Sequence, residues 1–316
     1  MSSPAPSSPL SSLSDYPEDT GSVEISDEAA MLSDLQAAYA RGAPLFQKAA
    51  LAAAAKAIAS NAASVELPDV LGALRRHDVQ YSAPAAAPHI PLLHYHSYEA
   101  LTLLAPFEHA DRPSALTIHW RAAAPPPTAD LAALRTAFRR HAAAWAATCA
   151  RAAPSLTQLV AAARPLLAGC TVLCLGLGSP AAALGWTRAA EARCFAQHAA
   201  VVDVAAALAP GGDGRVRVLA QDPAYCEADV ALLAELGIQV VEDPQGFLEL
   251  DDSTFVVSVA CNVPQKQIVA DLARPVAMLW NEVEEEDEVE RSWEQRPDGV
   301  YVAYVAACAG ACCADC

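Results

Sequence analysis

Basic side chains are scarce in this chain: 20 Lys and Arg stand against 37 Asp and Glu, a formal net charge of −17 over 316 residues. Binding to nucleic acid or to anionic lipid relies on a basic face, so the composition argues against both partners. The densest basic spots are Arg75-Arg76 and Arg139-Arg140, and such pairs read as solvated helix ends or dipole partners. Long apolar runs are missing too, because charges such as Arg188, Glu191 and Asp203 break the alanine-rich stretches. No stretch of about 20 residues suits a bilayer span. The opening MSSPAPSSPLSSLSD has neither a basic n-region nor an apolar h-region, so no secretory signal is expected. The ten cysteines are therefore read as reduced thiols, in a protein of the cytoplasm or nucleus. Aromatics make up only 6 % of the chain although hydrophobic residues reach 54 %; alanine supplies much of the difference, which predicts helix-rich packing of small side chains.

What is present falls into four stretches. Residues 1–29 are rich in Ser, Pro and acids and hold too little apolar surface to offset ordering entropy, so disorder is expected there. Ser3-Pro4 and Ser8-Pro9 match proline-directed phosphorylation sites, but a plain unstructured tail with common residues is the favoured reading on composition. Residues 30–165 read as mainly helical, with a loop and strand insert near 82–127 and a helix break at Pro154. Residues 166–282 alternate short apolar runs with helical patterns: TVLCLGLG, a helix over 180–208, RVRVLAQ, AYCEADVALLAELG, IQVVED, STFVVSVA, PQKQIVADLAR and PVAMLWN. That rhythm predicts an α/β fold, a Rossmann-like open and mostly parallel sheet with helices on both faces. Residues 283–316 begin with a dense acidic run that favours a solvated helix or loop, continue into GVYVAYVAA as an edge strand, and end in a Cys-rich tail.

Chemistry concentrates at few places. Gly176, Gly178 and Ala181 satisfy the G-x-G-x-x-G/A spacing between a strand and a helix, where amide N–H groups face a phosphate and missing side chains let it approach. No Gly-Lys-Ser/Thr follows, which excludes a P-loop. The ribose-binding acid of such sites stands about 20 residues on; here the corresponding residue is Asp222, more than 40 residues after Gly178 and at the end of the second strand. Ser179-Pro180 is also a strong helix start, which explains the turn without any ligand. Gly176, Gly178, Ser179 and Asp222 are thus the candidate ligand-binding residues, with a structural corner as the competing explanation. Asp222 has its own competing role as cap of the helix after Pro223, and Cys226 is a candidate thiol beside it.

Metal binding has a weaker basis. His94 and His96 share a face if PLLHYHSY is a strand, which supplies two ligands; the third, from His89, His109 or His119, is not identifiable from the sequence, so no metal is assigned. Cys308, Cys312, Cys313 and Cys316 do not follow a common zinc spacing, and Asp315 occupies the position where a prenylation motif needs an aliphatic residue.

The order of landmarks in the second half, Gly176-Leu177-Gly178-Ser179, Asp222-Pro223, Leu236-Gly237 and PVAMLWNEV, resembles the SRR-like domain, the family named for reduced sensitivity to red light. Asn262-Val263-Pro264 with Gln267-Ile268 and Asp271 resembles its fungal branch in particular. The resemblance spans about residues 165–283. Where many members carry a Pro-His-Cys-like sequence this chain has Ala260-Cys261-Asn262, so no role of that histidine is carried over. The resemblance implies a regulatory protein without settled enzymatic activity, linked to circadian or light signalling or to cytoskeletal or haem-related regulation. On this reading the chain is a non-enzymatic regulator with a protein partner of unknown identity and no required cofactor. The alternative is a nucleotide- or cofactor-binding enzyme, methyltransferase-like or dehydrogenase-like, using the glycine turn and Asp222.

Overall fold

The computed structural model describes residues 24–82, 88–104, 114–123, 129–152, 154–209, 216–259 and 261–280, with the backbone of 290–295 and 301–306. The Ser-Pro sites, His109, the acidic residues 281–289 and the four C-terminal cysteines lie outside the described residues. In chain order the elements are α1 (Glu24–Ala40), α2 (Lys48–Ala59), β1 (Ser64–Pro68), β2 (Leu74–Asp78), β3 (His89–Tyr95), α3 (Tyr98–Leu104) and β4 (Leu116–Ala122). Then come α4 (Leu131–Cys149), α5 (Leu156–Ala163), β5 (Thr171–Leu175), α6 (Pro180–Ala183), α7 (Arg188–Leu208), β6 (Val218–Gln221) and α8 (Glu227–Glu235). The remainder is β7 (Gln239–Val240), α9 (Gln245–Glu249), β8 (Thr254–Ser258), α10 (Gln265–Leu272), β9 (Ala277–Trp280), β10 (Glu290–Gln295) and β11 (Tyr301–Ala306). No described helix is long and apolar enough to cross a membrane.

These elements form two compact units. One takes Met1–Pro127, Val241–Asp252 and Asn262–Arg274, and the other Thr128–Val240, Ser253–Cys261 and Pro275–Cys316.

The first unit contains two antiparallel hairpins, β1 with β2 and β3 with β4. Tyr95 on β3 packs against Phe46 and edge-on against Phe247 of α9, and its hydroxyl donates to Asp243 at 2.7 Å. Two residues singled out for the fungal branch are structural ties here: Asp271 accepts the amides of Leu45 (2.9 Å) and Phe46 (3.0 Å), and Gln267 accepts that of Tyr98 (3.0 Å). Several sequence expectations change in this unit. α1 begins at Glu24, inside the stretch expected to be disordered, and its later turns carry the buried Leu35 and Ala38. The segment HYHSYEALTLL, expected as strand, is strand only to Tyr95 and helical from Tyr98. The hairpin of β1 and β2 was not foreseen; LRRHD is a charged strand whose side chains remain exposed or half-buried, so no apolar alternation announces it.

The second unit holds five parallel strands in the order β7-β6-β5-β8-β9. Counted from β5 as the first, this is 3-2-1-4-5, so the order reverses between β5 and β8. Val172, Cys174, Val218, Ala220, Phe255 and Val257 point to one face and form a core with Val160 of α5, Val201 and Val204 of α7 and Leu233 of α8. The alternate residues Leu173, Leu175, Leu219 and Val256 are equally buried, which is why these strands read as continuous apolar runs. α4 adds Leu134 and Ala137 to a smaller cluster with Ala181, Phe195 and Leu232. The break expected at Pro154 separates α4 from α5, and Ser155 starts α5 with a capping box to Gln158.

Three details differ from expectation here. The long helix over 180–208 is two helices, because Thr187 caps a new start by accepting from Ala190. The third strand is only two residues long. Within the apolar run expected as an edge strand, β11 pairs with β10 in a separate antiparallel hairpin and not with the parallel sheet, and β10 is a strand where a helix or loop was expected.

Candidate functional site

The strand-to-helix corner after β5 lies beside the carboxyl end of β6, as the adjacency of Leu175 and Gln221 requires. Four of its backbone N–H groups find acceptors within the chain. Gly176 N–H donates to the carbonyl of Gln221 (3.0 Å), and Gly178 N–H donates to Asp222 Oδ2 (2.7 Å). Pro180 has no N–H. Ala181 N–H donates to Asp229 Oδ1 (2.7 Å), and Ala182 N–H donates to the Ser179 hydroxyl (3.0 Å), which itself donates to Asp229 Oδ2 (2.6 Å). A helix N-terminus attracts an anion; at α6 that anion is the fully buried carboxylate of Asp229, carried by the chain itself.

Asp229 serves α8 at the same time. It is the third residue of that helix, and its Oδ2 accepts the N–H of Cys226, the N-cap, at 3.0 Å. The cap of α8 is therefore Cys226 and not Asp222. Asp222 instead turns one oxygen to Gly178 and the other to Ala224 N–H at 2.9 Å, joining the two strand ends across 44 residues of sequence.

The two glycines of the fingerprint are not equivalent. Both have positive φ, 66° and 80°. A Cβ on Gly178 meets only Cys194 Sγ, at 3.6 Å, whereas one on Gly176 lies 2.5 Å from Cys261 Sγ and 2.8 Å from Cys261 Cβ. Cys261 follows β8, so it enters the crevice between β5 and β8, the place where the strand order reverses and where open α/β sheets bind their ligands. The room left by the missing side chain of Gly176 is taken by Cys261. Beside it Ser258, fully buried, donates to the carbonyl of Leu175 at 2.9 Å.

The buried His198 and the half-buried Tyr225 form a polar pair that the sequence did not disclose. His198 of α7 faces the carbonyl of Cys194 with Nδ1 (2.8 Å), so that nitrogen carries the proton, and its Nε2 accepts from the Tyr225 hydroxyl at 3.2 Å. Burial pushes the His198 imidazole below its usual range and the Tyr225 phenol well above its own. Burial, then the carboxylates of Asp229 and Asp222, push the Cys194 thiol up to about 12, so it remains protonated and unreactive at neutral pH. Only the i, i+4 spacing of Cys194 and His198 on one helix face hinted at this arrangement.

A pH dependence follows. Folded His198 stays neutral while unfolded His198 takes a proton near pH 6.5, so the unfolded state binds more protons below that value. The contribution is complete above pH 6.5 and is lost as pH falls towards the lowered folded value. Urea melts between pH 7.5 and 5 are expected to lose stability with a His198 share approaching ~1.4 kcal/mol per pH unit, and His198→Gln is expected to flatten the slope by that share. Superimposable slopes for the two proteins would assign the effect elsewhere.

The histidine candidates fall in the first unit. β3 and β4 bring His94, His96 and His119 together, with one ring nitrogen from each within 4.8 Å of the others. His89 stacks on Tyr81 instead, with ring centroids 4.0 Å apart.

Among known families, a model of the SRR1 domain matches residues 151–308, half of the chain. The match takes in the whole parallel sheet and the corner, and extends beyond the resemblance at both ends. No curated protein and no solved structure matches the chain.

Proposed function

The chain belongs to the SRR1 domain family, and from that premise we propose that it is a non-enzymatic regulatory protein acting through a protein partner, in the cytoplasm or nucleus. The observation that carries this reading is the occupied switch point, where Cys261 fills the space beside Gly176 and Asp222 and Asp229 take the donors of Gly178 and Ala181. The all-parallel 3-2-1-4-5 order supports reading the sheet as Rossmann-like; such a fold does not by itself confer nucleotide chemistry. Trp186, in the segment between α6 and α7, is 70 % exposed, and a large aromatic side chain in solvent suits an anchor for a partner better than it suits catalysis.

A thermal-shift panel tests the reading against its enzymatic alternative. NAD(P), S-adenosylmethionine, ATP and haem are each added at high excess. A ligand present at 100 times its dissociation constant stabilises by about 2.7 kcal/mol, several degrees in melting temperature. No shift is expected with any of the four. A saturable shift that Gly178→Val abolishes, with that variant still folded, would restore the nucleotide- or cofactor-binding enzyme.

A further inference from the structure

The three histidines of the β3–β4 hairpin converge by register. Side chains alternate along a strand, so His94 and His96 share a face, and the amide of His96 extends the ladder by donating to Ala115 O at 2.8 Å. In the antiparallel partner His94 lies opposite Thr117 and Leu92 opposite His119, which places His119 diagonally across from His94 on the same face. The rings of His94 and His96 stack with centroids 4.4 Å apart, and His119 closes on His94 at the same centroid distance with planes 56° apart.

We propose that this hairpin binds a divalent transition-metal ion of the zinc class through the imidazoles of His94, His96 and His119, with solvent completing the coordination. Metal–imidazole bonds of about 2.0–2.1 Å in tetrahedral geometry need donor nitrogens roughly 3.4 Å apart. The ring nitrogens lie within 4.8 Å of one another; to aim at one ion the stacked rings of His94 and His96 must turn out of parallel, and His94, at the surface, is the ring that turns. The Thr117 hydroxyl, 3.2 Å from His96 Nε2, orients the third ring as outer-shell partners of metal-binding histidines do. Neutral imidazole is the binding form. An all-nitrogen donor set favours Zn²⁺, Ni²⁺ or Cu²⁺ and disfavours Mg²⁺ and Ca²⁺, which need oxygen ligands.

The test uses the full chain with Cys308, Cys312, Cys313 and Cys316 changed to serine, so that tail thiols do not contribute. Titration with Zn²⁺ by calorimetry is expected to show one equivalent bound, unaffected by excess Mg²⁺ or Ca²⁺. Co²⁺ is expected to give visible d–d absorption without the near-ultraviolet band of a thiolate complex. His94→Ala and His119→Ala each weaken binding at least about 100-fold, Thr117→Val about 10-fold, and His89→Ala leaves it unchanged. Absence of binding at 100-fold excess Zn²⁺, or affinity retained in the His94→Ala/His96→Ala/His119→Ala variant, overturns the proposal. If that variant does not fold, diethyl pyrocarbonate labelling of the unsubstituted histidines decides: Zn²⁺ must shield His94, His96 and His119 while His89 reacts as before, and equal labelling with and without metal overturns it.

Discussion

Asp229→Ala is expected to lower the unfolding free energy by about 3–5 kcal/mol, read from urea melts at neutral pH. Its carboxylate accepts from the Ser179 hydroxyl, the Ala181 amide and the Cys226 amide, and it is fully buried. Hydrogen bonds to a charged group each contribute about 1.5–3 kcal/mol net, and buried donors left without an acceptor add their desolvation cost. One side chain thus ties the starts of α6 and α8 together. Asp229→Asn is expected to fall between the alanine variant and the wild type. Either orientation of the amide points its NH₂ at a backbone N–H, of Ala181 or of Cys226, and one acceptor is lost. Ser179→Ala removes the cap and one hydrogen bond to the carboxylate and is expected to cost about 2–3 kcal/mol. An Asp229→Ala variant within about 1 kcal/mol of wild type would show that water replaces the carboxylate and that the corner is not closed by it.

Gly176→Ala is expected to cost about 4 kcal/mol and Gly178→Ala about 1–2 kcal/mol. Both place an L side chain at positive φ, a strain of about 1–3 kcal/mol. Only the first also drives a methyl into Cys261, 2.5 Å from its Sγ and 3.1 Å from its Cα, and overpacking adds about 1–3 kcal/mol. Because the backbone of Cys261 itself stands so close, rotation of the cysteine side chain cannot relieve the clash. In a double-mutant cycle, Gly176→Ala with Cys261→Gly is expected to cost about 1–2 kcal/mol less than the sum of the single changes. Equal costs for the two alanine variants would mean that Cys261 gives way easily and leaves the crevice open. A phosphate site in this crevice would need Cys261 displaced, so the two glycine variants and the ligand panel probe one question from opposite sides.

Much of the second unit was legible in the chain. The apolar runs TVLCL and TFVVS became β5 and β8, and Ser179-Pro180 capped and began α6. These readings rest on local physics: burial on both faces and capping chemistry act over a few residues. Short or charged elements escaped. α9 has five residues, too few for a helical period to show, and its Phe247 is buried against Tyr95 from a distant part of the chain. At the candidate site the sequence named Gly176, Gly178, Ser179 and Asp222 but not Asp229, Cys261 or His198. Asp229 stands in the first turn of α8, where acids are common, and nothing nearby in sequence marks its partners 48 and 50 residues away.

By itself the sequence determined a parallel α/β sheet, a helix that starts at Ser179, a glycine turn in a fingerprint spacing, and two histidines on one strand face. Only the tertiary structure decided what the turn holds and whether the histidines have company. Strand order brings Cys261 to Gly176, Asp222 to Gly178 and Asp229 to α6, and hairpin register brings His119 to His94. These are encounters between residues about 25 to 85 positions apart, set by which strands pair and in what register, and a residue pattern confined to one segment carries no information about them.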